Sequence, residues 1–173
     1  MPQKLLPGHI SVYAVAPEAL TDWTAPDASE LTAALAANMA WDISCAIDAD
    51  GYELGATGFS EDDSRSICDI GNVTSAQFVE YAASLDGFRS DPDDPTAVYD
   101  TFFELFAREG RTYYLVERVG PEQGTAFAAG QTISAYGFDT DYSVDVMGDN
   151  EMLRLGARFL PNGNINTYVD LIA

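Results

Sequence analysis

The chain has 173 residues and sets 28 acidic side chains against 8 basic ones, a formal net charge of −20. Its hydrophobic fraction of 47% is enough for a packed core and excludes intrinsic disorder. The charge excludes a phosphate-gripping surface, because nucleic-acid binding relies on Lys and Arg displacing condensed counterions. Asp outnumbers Glu 18 to 10, and Lys4 is the one lysine beside seven arginines, so the skew is specific in chemistry as well as in sign. No run of about 18 apolar residues occurs, so no transmembrane helix is expected. The opening residues also lack the continuous apolar stretch of a signal peptide, and we expect a chain that is intracellular when made.

Residues 1–173 read as one domain. Pro2, Pro7 and Gly8 mark residues 1–8 as an irregular N-terminal arm, and the β-branched and aromatic run from His9 to Ala16 follows as a strand. Asp27 is placed as an N-cap with Glu30 three residues on, which opens a short alanine-rich helix to Met39. The period then changes to two, since Trp41, Ile43, Cys45 and Ile47 alternate with Asp42, Ser44, Ala46 and Asp48. Asp50-Gly51 predicts a two-residue hairpin turn returning through Leu54 and Ala56. Strands are expected over Ser64–Ile70 and, more weakly, Ala76–Leu85.

Asp94 followed by Pro95 starts the strongest helix signal, over residues 94–110, with Val98, Phe102, Leu105 and Phe106 on one face and Gly110 as its stop. Arg111–Val119 reads as a strand. Gly148-Asp149 suits a type II′ turn, and pairing outward from it sets Val144 opposite Leu153, Tyr142 opposite Leu155 and Phe138 opposite Phe159. That register collects Asp139, Asp141, Ser143 and Asp145 on the other face, beside Arg154 and Arg158. A turn at Pro161–Asn164 then leads to a last strand, Ile165–Ile172. About eight strands joined at tight turns predict a mainly β fold: an antiparallel β-sandwich or barrel with one flanking α-helix and an extended N-terminal arm.

The chain offers little for catalysis. His9 is the one histidine and sits at the edge of the arm, Gly-x-Ser-x-Gly is absent, and the glycines at 51, 55 and 58 fall in a strand pattern instead of a phosphate loop. Cys45 and Cys68 fit neither a disulfide framework nor a metal motif, and they are expected as buried free thiols. Asp48-x-Asp50-Gly51 places its glycine too early for an EF-hand, and the acidic loops at residues 61–63 and 91–94 read as solvated. We therefore expect no catalytic residue, no cofactor and no metal.

Pro26-Asp27-Ala28-Ser29-Glu30-Leu31 followed by Asp42-Ile43-Ser44-Cys45-Ala46-Ile47 resembles the opening of major tail tube proteins of long-tailed siphophages. The stretch Asp94–Gly110 with Tyr113-Tyr114-Leu115-Val116-Glu117-Arg118-Val119-Gly120 is similar to that family's helix and following strand. In element order the resemblance covers most of residues 9–172. It implies a tail-tube-like sandwich, six copies per ring, and rings stacked into the tail tube of a virion, with edge strands joined between subunits into an inner β-barrel. It further implies contact with tape-measure and tail-end proteins, and passage of DNA without specific binding or membrane insertion. Asp139, Asp141 and Asp145, with Asp42 and Asp48, are then the lumen-facing candidates, where like charge keeps DNA mobile. The alternatives are another ring-forming tail component, such as a terminator or connector, or an acidic ligand-binding or adhesin module using Trp23 and Tyr52. Acidity spread over every segment also matches a salt-rich host cytoplasm, where screening makes self-repulsion tolerable.

Overall fold

The computed structural model describes residues 9–62, 75–91, 93, 95–147 and 153–173. The arm at residues 1–8, the strand expected over Ser64–Ile70, Cys68, Asp94 and the Gly148-Asp149 turn lie outside these residues. Seven strands and two helices make up the rest: β1 Ile10–Val15, α1 Ala28–Ala36, β2 Ala40–Asp42, β3 Ile47–Asp62, β4 Ser75–Phe88, α2 Ala97–Phe106, β5 Thr112–Val119, β6 Thr132–Met147 and β7 Leu153–Asp170. One sheet runs β2-β1-β5-β6-β7-β4-β3, with every neighbouring pair antiparallel.

The first helix starts where the sequence places it. The Asp27 side chain accepts from the Ser29 amide at 2.6 Å, which satisfies one of the orphan donors of the first turn. Glu30 does not close the capping box; it accepts from the Thr21 amide instead and ties the preceding loop down. The second helix is shorter than expected. Thr96 is its N-cap, because Ser90 holds that residue extended by bonding both its amide and its carbonyl at 3.0 Å. It ends at Phe106 because Thr140 claims the following turn, accepting from Arg111, donating to the Arg108 carbonyl, and taking the Gly110 amide on its own carbonyl.

Two expected turns are strand interior. At Asp50-Gly51 the chain runs straight on in β3, through a register irregularity between Ile47 and Tyr52. Gly51 serves close approach, since a Cβ there would lie 2.5 Å from that of Asp86. At Pro161–Asn164 the chain likewise stays in β7: Phe138 pairs with Pro161 and Tyr136 with Ile165, so Asn162, Gly163 and Asn164 bulge opposite Gly137. A side chain on Gly137 would run into Asn162 and Asn164. The expected separate last strand is thus the second half of β7, and the described residues form seven strands.

The bent pair β6–β7 belongs to both halves of the molecule. Near its open end β6 pairs with β5 and with the last residues of β7, while further on β7 also pairs with β4 over Arg154–Phe159. The β3–β4 half folds across β5 and β6, where the Tyr52 hydroxyl donates to Glu117 at 2.7 Å. Between the layers lie Leu85, Leu115, Phe138 and Phe159, closed at one end by Phe102 and Phe106 of α2. A second cluster, including Val15, Leu31, Val116 and Ile133, packs α1 on the outer face of β1–β5–β6. Those central strands are buried on both faces, which is why β1 and β5 read as nearly continuous apolar runs. The result is a β-sandwich with a flanking helix.

Candidate functional site

The pairing of β6 with β7 decides where the acidic candidates point. Val144 lies opposite Gly156, Asp145 opposite Leu155 and Met147 opposite Leu153, three residues away from the register that a turn at Gly148-Asp149 requires. An odd shift exchanges faces, and the exchange occurs at the bulge between Thr140 and Ser143. Before the bulge, Phe138 and Thr140 are buried while Asp139 pairs with exposed Leu160 and accepts from the Thr112 hydroxyl at 2.6 Å. After it, Tyr142 and Val144 are exposed, and Asp145 leaves from the side of buried Leu155 to meet Arg89 at 3.1 Å. Asp139 and Asp145 therefore project from opposite faces, with Asp141 in the bulge between them. The expected single acidic stripe is divided.

The other two candidates have local work. Asp42 accepts from both the amide and the hydroxyl of Ser44, at 3.0 and 2.6 Å, and so fixes the tight turn that redirects the chain from β2 into β3. Asp48 pairs with Arg154, and one rung away Asp86 pairs with Arg158 at 2.9 Å. These pairs stitch β3, β7 and β4 across the outer face. The sequence pattern set Arg154 and Arg158 among acids correctly but assigned the wrong ones. Asp86 was missed, since nothing near it in sequence signals that it lies under Arg158.

Arg118 was also missed as a structural centre. Although β5 carries it into the outer core with no exposure, no carboxylate pairs with it among the described residues. Its guanidinium donates to the Thr125 carbonyl at 2.8 Å, the Tyr13 hydroxyl at 3.1 Å and the Gln131 side chain at 3.4 Å. It lies over the Phe127 ring, 4.8 Å from its centroid. The residues between β5 and β6 are thereby clamped onto the sheet. Burial raises the Tyr13 phenol above its ordinary pKa, with Asp42 adding to the effect and Arg118 opposing it. The Tyr52 phenol is pushed up much further, first by burial and then by its hydrogen bond to Glu117. Both hydroxyls stay protonated and act as donors or acceptors, not as bases.

The remaining candidates are accounted for by contacts. His9 Nδ1 donates to the Gly120 carbonyl at 2.8 Å, tying the start of β1 to the end of β5. Cys45 is exposed instead of buried, because it falls in the short 3-10 turn Ser44–Ala46, and the Gln123 amide donates to its sulfur. Trp23 stacks on Tyr114, so neither it nor Tyr52 stands free as a surface aromatic. No group of three or more His, Cys, Asp or Glu side chains is placed to hold a metal ion among the described residues. No helix among them is long and apolar enough to cross a membrane.

The polar side chains of this fold thus tie strands, turns and loops to one another, which is the character of a structural β-sandwich subunit. The chain belongs to the phage tail tube protein family, whose match spans residues 1–173. It is a structural component of a virion tail, from a family that self-assembles into a tube. No curated protein matches the sequence.

Proposed function

We propose that this chain is the major tail tube subunit: six copies close into a ring, rings stack into a tube, and an acidic lumen holds the tape-measure protein and later passes DNA. The observation that carries the reading is the family match over residues 1–173. The sheet supports it physically. β3 is a sixteen-residue edge strand free of Pro and Lys, two of the usual guards of an exposed edge, and the opposite edge is the three-residue β2. An edge of that length among the described residues can take a strand from another copy, and closing a ring leaves no edge open.

Asp139, on the side of β6 away from the core, and Asp141, in the bulge beside it, are the leading lumen groups, with Asp42 a further candidate. Asp48 and Asp145 contribute less, because Arg154 and Arg89 offset their charge. Tail-end proteins cap the tube, and neither specific DNA binding nor membrane insertion is part of the function. Negative-stain microscopy of the purified protein at high concentration tests the proposal, with long tubes expected. Single rings that never stack favour a terminator or connector, and a strictly monomeric protein at any salt concentration refutes the tube.

The acidity beyond the lumen is read as adaptation to a salt-rich cytoplasm. Self-repulsion within a chain of net charge −20 falls as the Debye length shrinks from about 10 Å at 0.1 M to about 3 Å at 1 M salt. The melting temperature is expected to rise between those concentrations, and a flat profile refutes the adaptation while leaving the tube untouched.

A further inference from the structure

Among the described residues, positive φ is almost reserved for glycine. Gly110, Gly120, Gly124, Gly130 and Gly163 take positive φ, and Asn38, at φ 55°, follows the C-cap of α1, a place where Asn is common. Tyr168 breaks the pattern with φ 58° and a side chain that is 85% exposed. A residue with a Cβ resists this conformation, and a bulky ring lacks the short polar side chain that helps Asn tolerate it.

A bulge imposes it. Val169 pairs with Ile133 and Asn166 with Ala135, so Thr167 and Tyr168 both oppose Ser134, whose hydroxyl accepts the Tyr168 amide at 3.2 Å. The fold gains no burial from the ring that this bulge aims into solvent. Strain held by its surroundings at a residue of no use to the core points to a use outside it.

The surroundings specify the partner. Ile10 and Val119 form a direct cross-strand pair on β1 and β5, 40% and 45% exposed, and Val119 follows two residues after Glu117, the partner of Ser134 across β5 and β6. Ile10, Val119 and Tyr168 are thus exposed apolar side chains at one end of the sheet, on β1, β5 and β7. The two nearby carboxylates are already engaged, Glu117 by the Tyr52 hydroxyl and Asp170 by the Thr132 hydroxyl at 2.8 Å. When one copy with net charge −20 meets another, contact through exposed apolar side chains meets less repulsion than contact through acidic ones.

We propose that Tyr168 is the anchor of a contact between copies of this chain, its ring seated on a neighbouring subunit, with Ile10 and Val119 extending the contact along the same end of the sheet. The proposal rests on the tube-subunit reading above and names a contact within it. Exposed tyrosines that become buried are typical interface hot spots.

Tyr168→Gly separates the two roles, because glycine accepts the backbone conformation and removes the ring. The variant is expected to melt no lower than the parent, yet to need a roughly thirtyfold higher concentration to assemble, as loss of one hot spot predicts. Tyr168→Asn is expected to behave likewise, and Tyr168→Phe to assemble like the parent. Sedimentation velocity over a concentration series reads all four proteins. Unchanged assembly of the glycine and asparagine variants beside an assembling parent overturns the anchor and leaves the tube standing. A parent that never assembles overturns both.

Discussion

Replacing Arg118 tests the account of the outer core most directly. In Arg118→Met the side-chain volume is largely kept and a thioether still contacts the Phe127 and Tyr13 rings, but the buried Tyr13 hydroxyl loses its donor, while the Gln131 side chain keeps the Ala128 amide. A buried hydroxyl left unpaired costs about 1–3 kcal/mol. Against this, a guanidinium held without a carboxylate carries a desolvation penalty that methionine does not. The Thr125 carbonyl, on an exposed residue, can return to water. We expect a net loss of about 2 kcal/mol for Arg118→Met and about 4 kcal/mol for Arg118→Ala, which adds a cavity. With an unfolding entropy of about 2.1 cal/mol/K per residue over 173 residues, these losses lower the melting temperature by about 6 and 11 °C. Hydrogen exchange supplies the local readout: amides of Gly130, Gln131 and Leu171, bonded in the clamped segment, exchange faster in both variants. A methionine variant as stable as the parent, with unchanged protection there, refutes the clamp.

Two further predictions follow from packing and titration. Gly87→Ala drives a methyl group into the fully buried Phe102 ring and is expected to cost about 1–3 kcal/mol in denaturant melts. Adding Phe102→Leu opens that space, so the double variant should be clearly more stable than the sum of the single losses predicts; strict additivity argues against the collision. Because the Tyr52 phenol is raised in the fold, its contribution is present in full below the unfolded value near pH 10 and is lost as pH climbs beyond it. Urea unfolding from roughly pH 8 to 11 should therefore show an alkaline loss of stability that Tyr52→Phe reduces, and an identical profile for the two proteins refutes the assignment.

Much of the fold is legible in the sequence because its cues are local. Asp27 caps α1, the apolar face of α2 is spelled out by Val98, Phe102, Leu105 and Phe106, and β5 announces itself by content. The errors come where a local cue has two physical uses. Asp50-Gly51 and Asn162-Gly163 have the chemistry of tight turns, but the same residues serve a bulge or a close approach, and the choice depends on Asp86 and Gly137, far away in sequence. Register carries the same ambiguity. An alternating pattern over Tyr142–Met147 fits two pairings with Leu153–Phe159, and the bulge at Thr140–Ser143 selects the one that the pattern disfavours. The acidic candidates inherit that error, which is why Asp139 and Asp145 separate. Arg118 was hidden for a related reason: in sequence it ends an apolar strand like any edge arginine, and its acceptors arrive on a loop that no periodicity describes.

The bent β6–β7 pair also governs how the molecule comes apart. Since both strands serve the two halves of the sandwich, neither half has a boundary along which it can detach with its hydrogen bonds intact. Melting either one strips the other of a neighbouring strand. The two layers are thus joined through the continuous backbone of β6 and β7 instead of through a hinge.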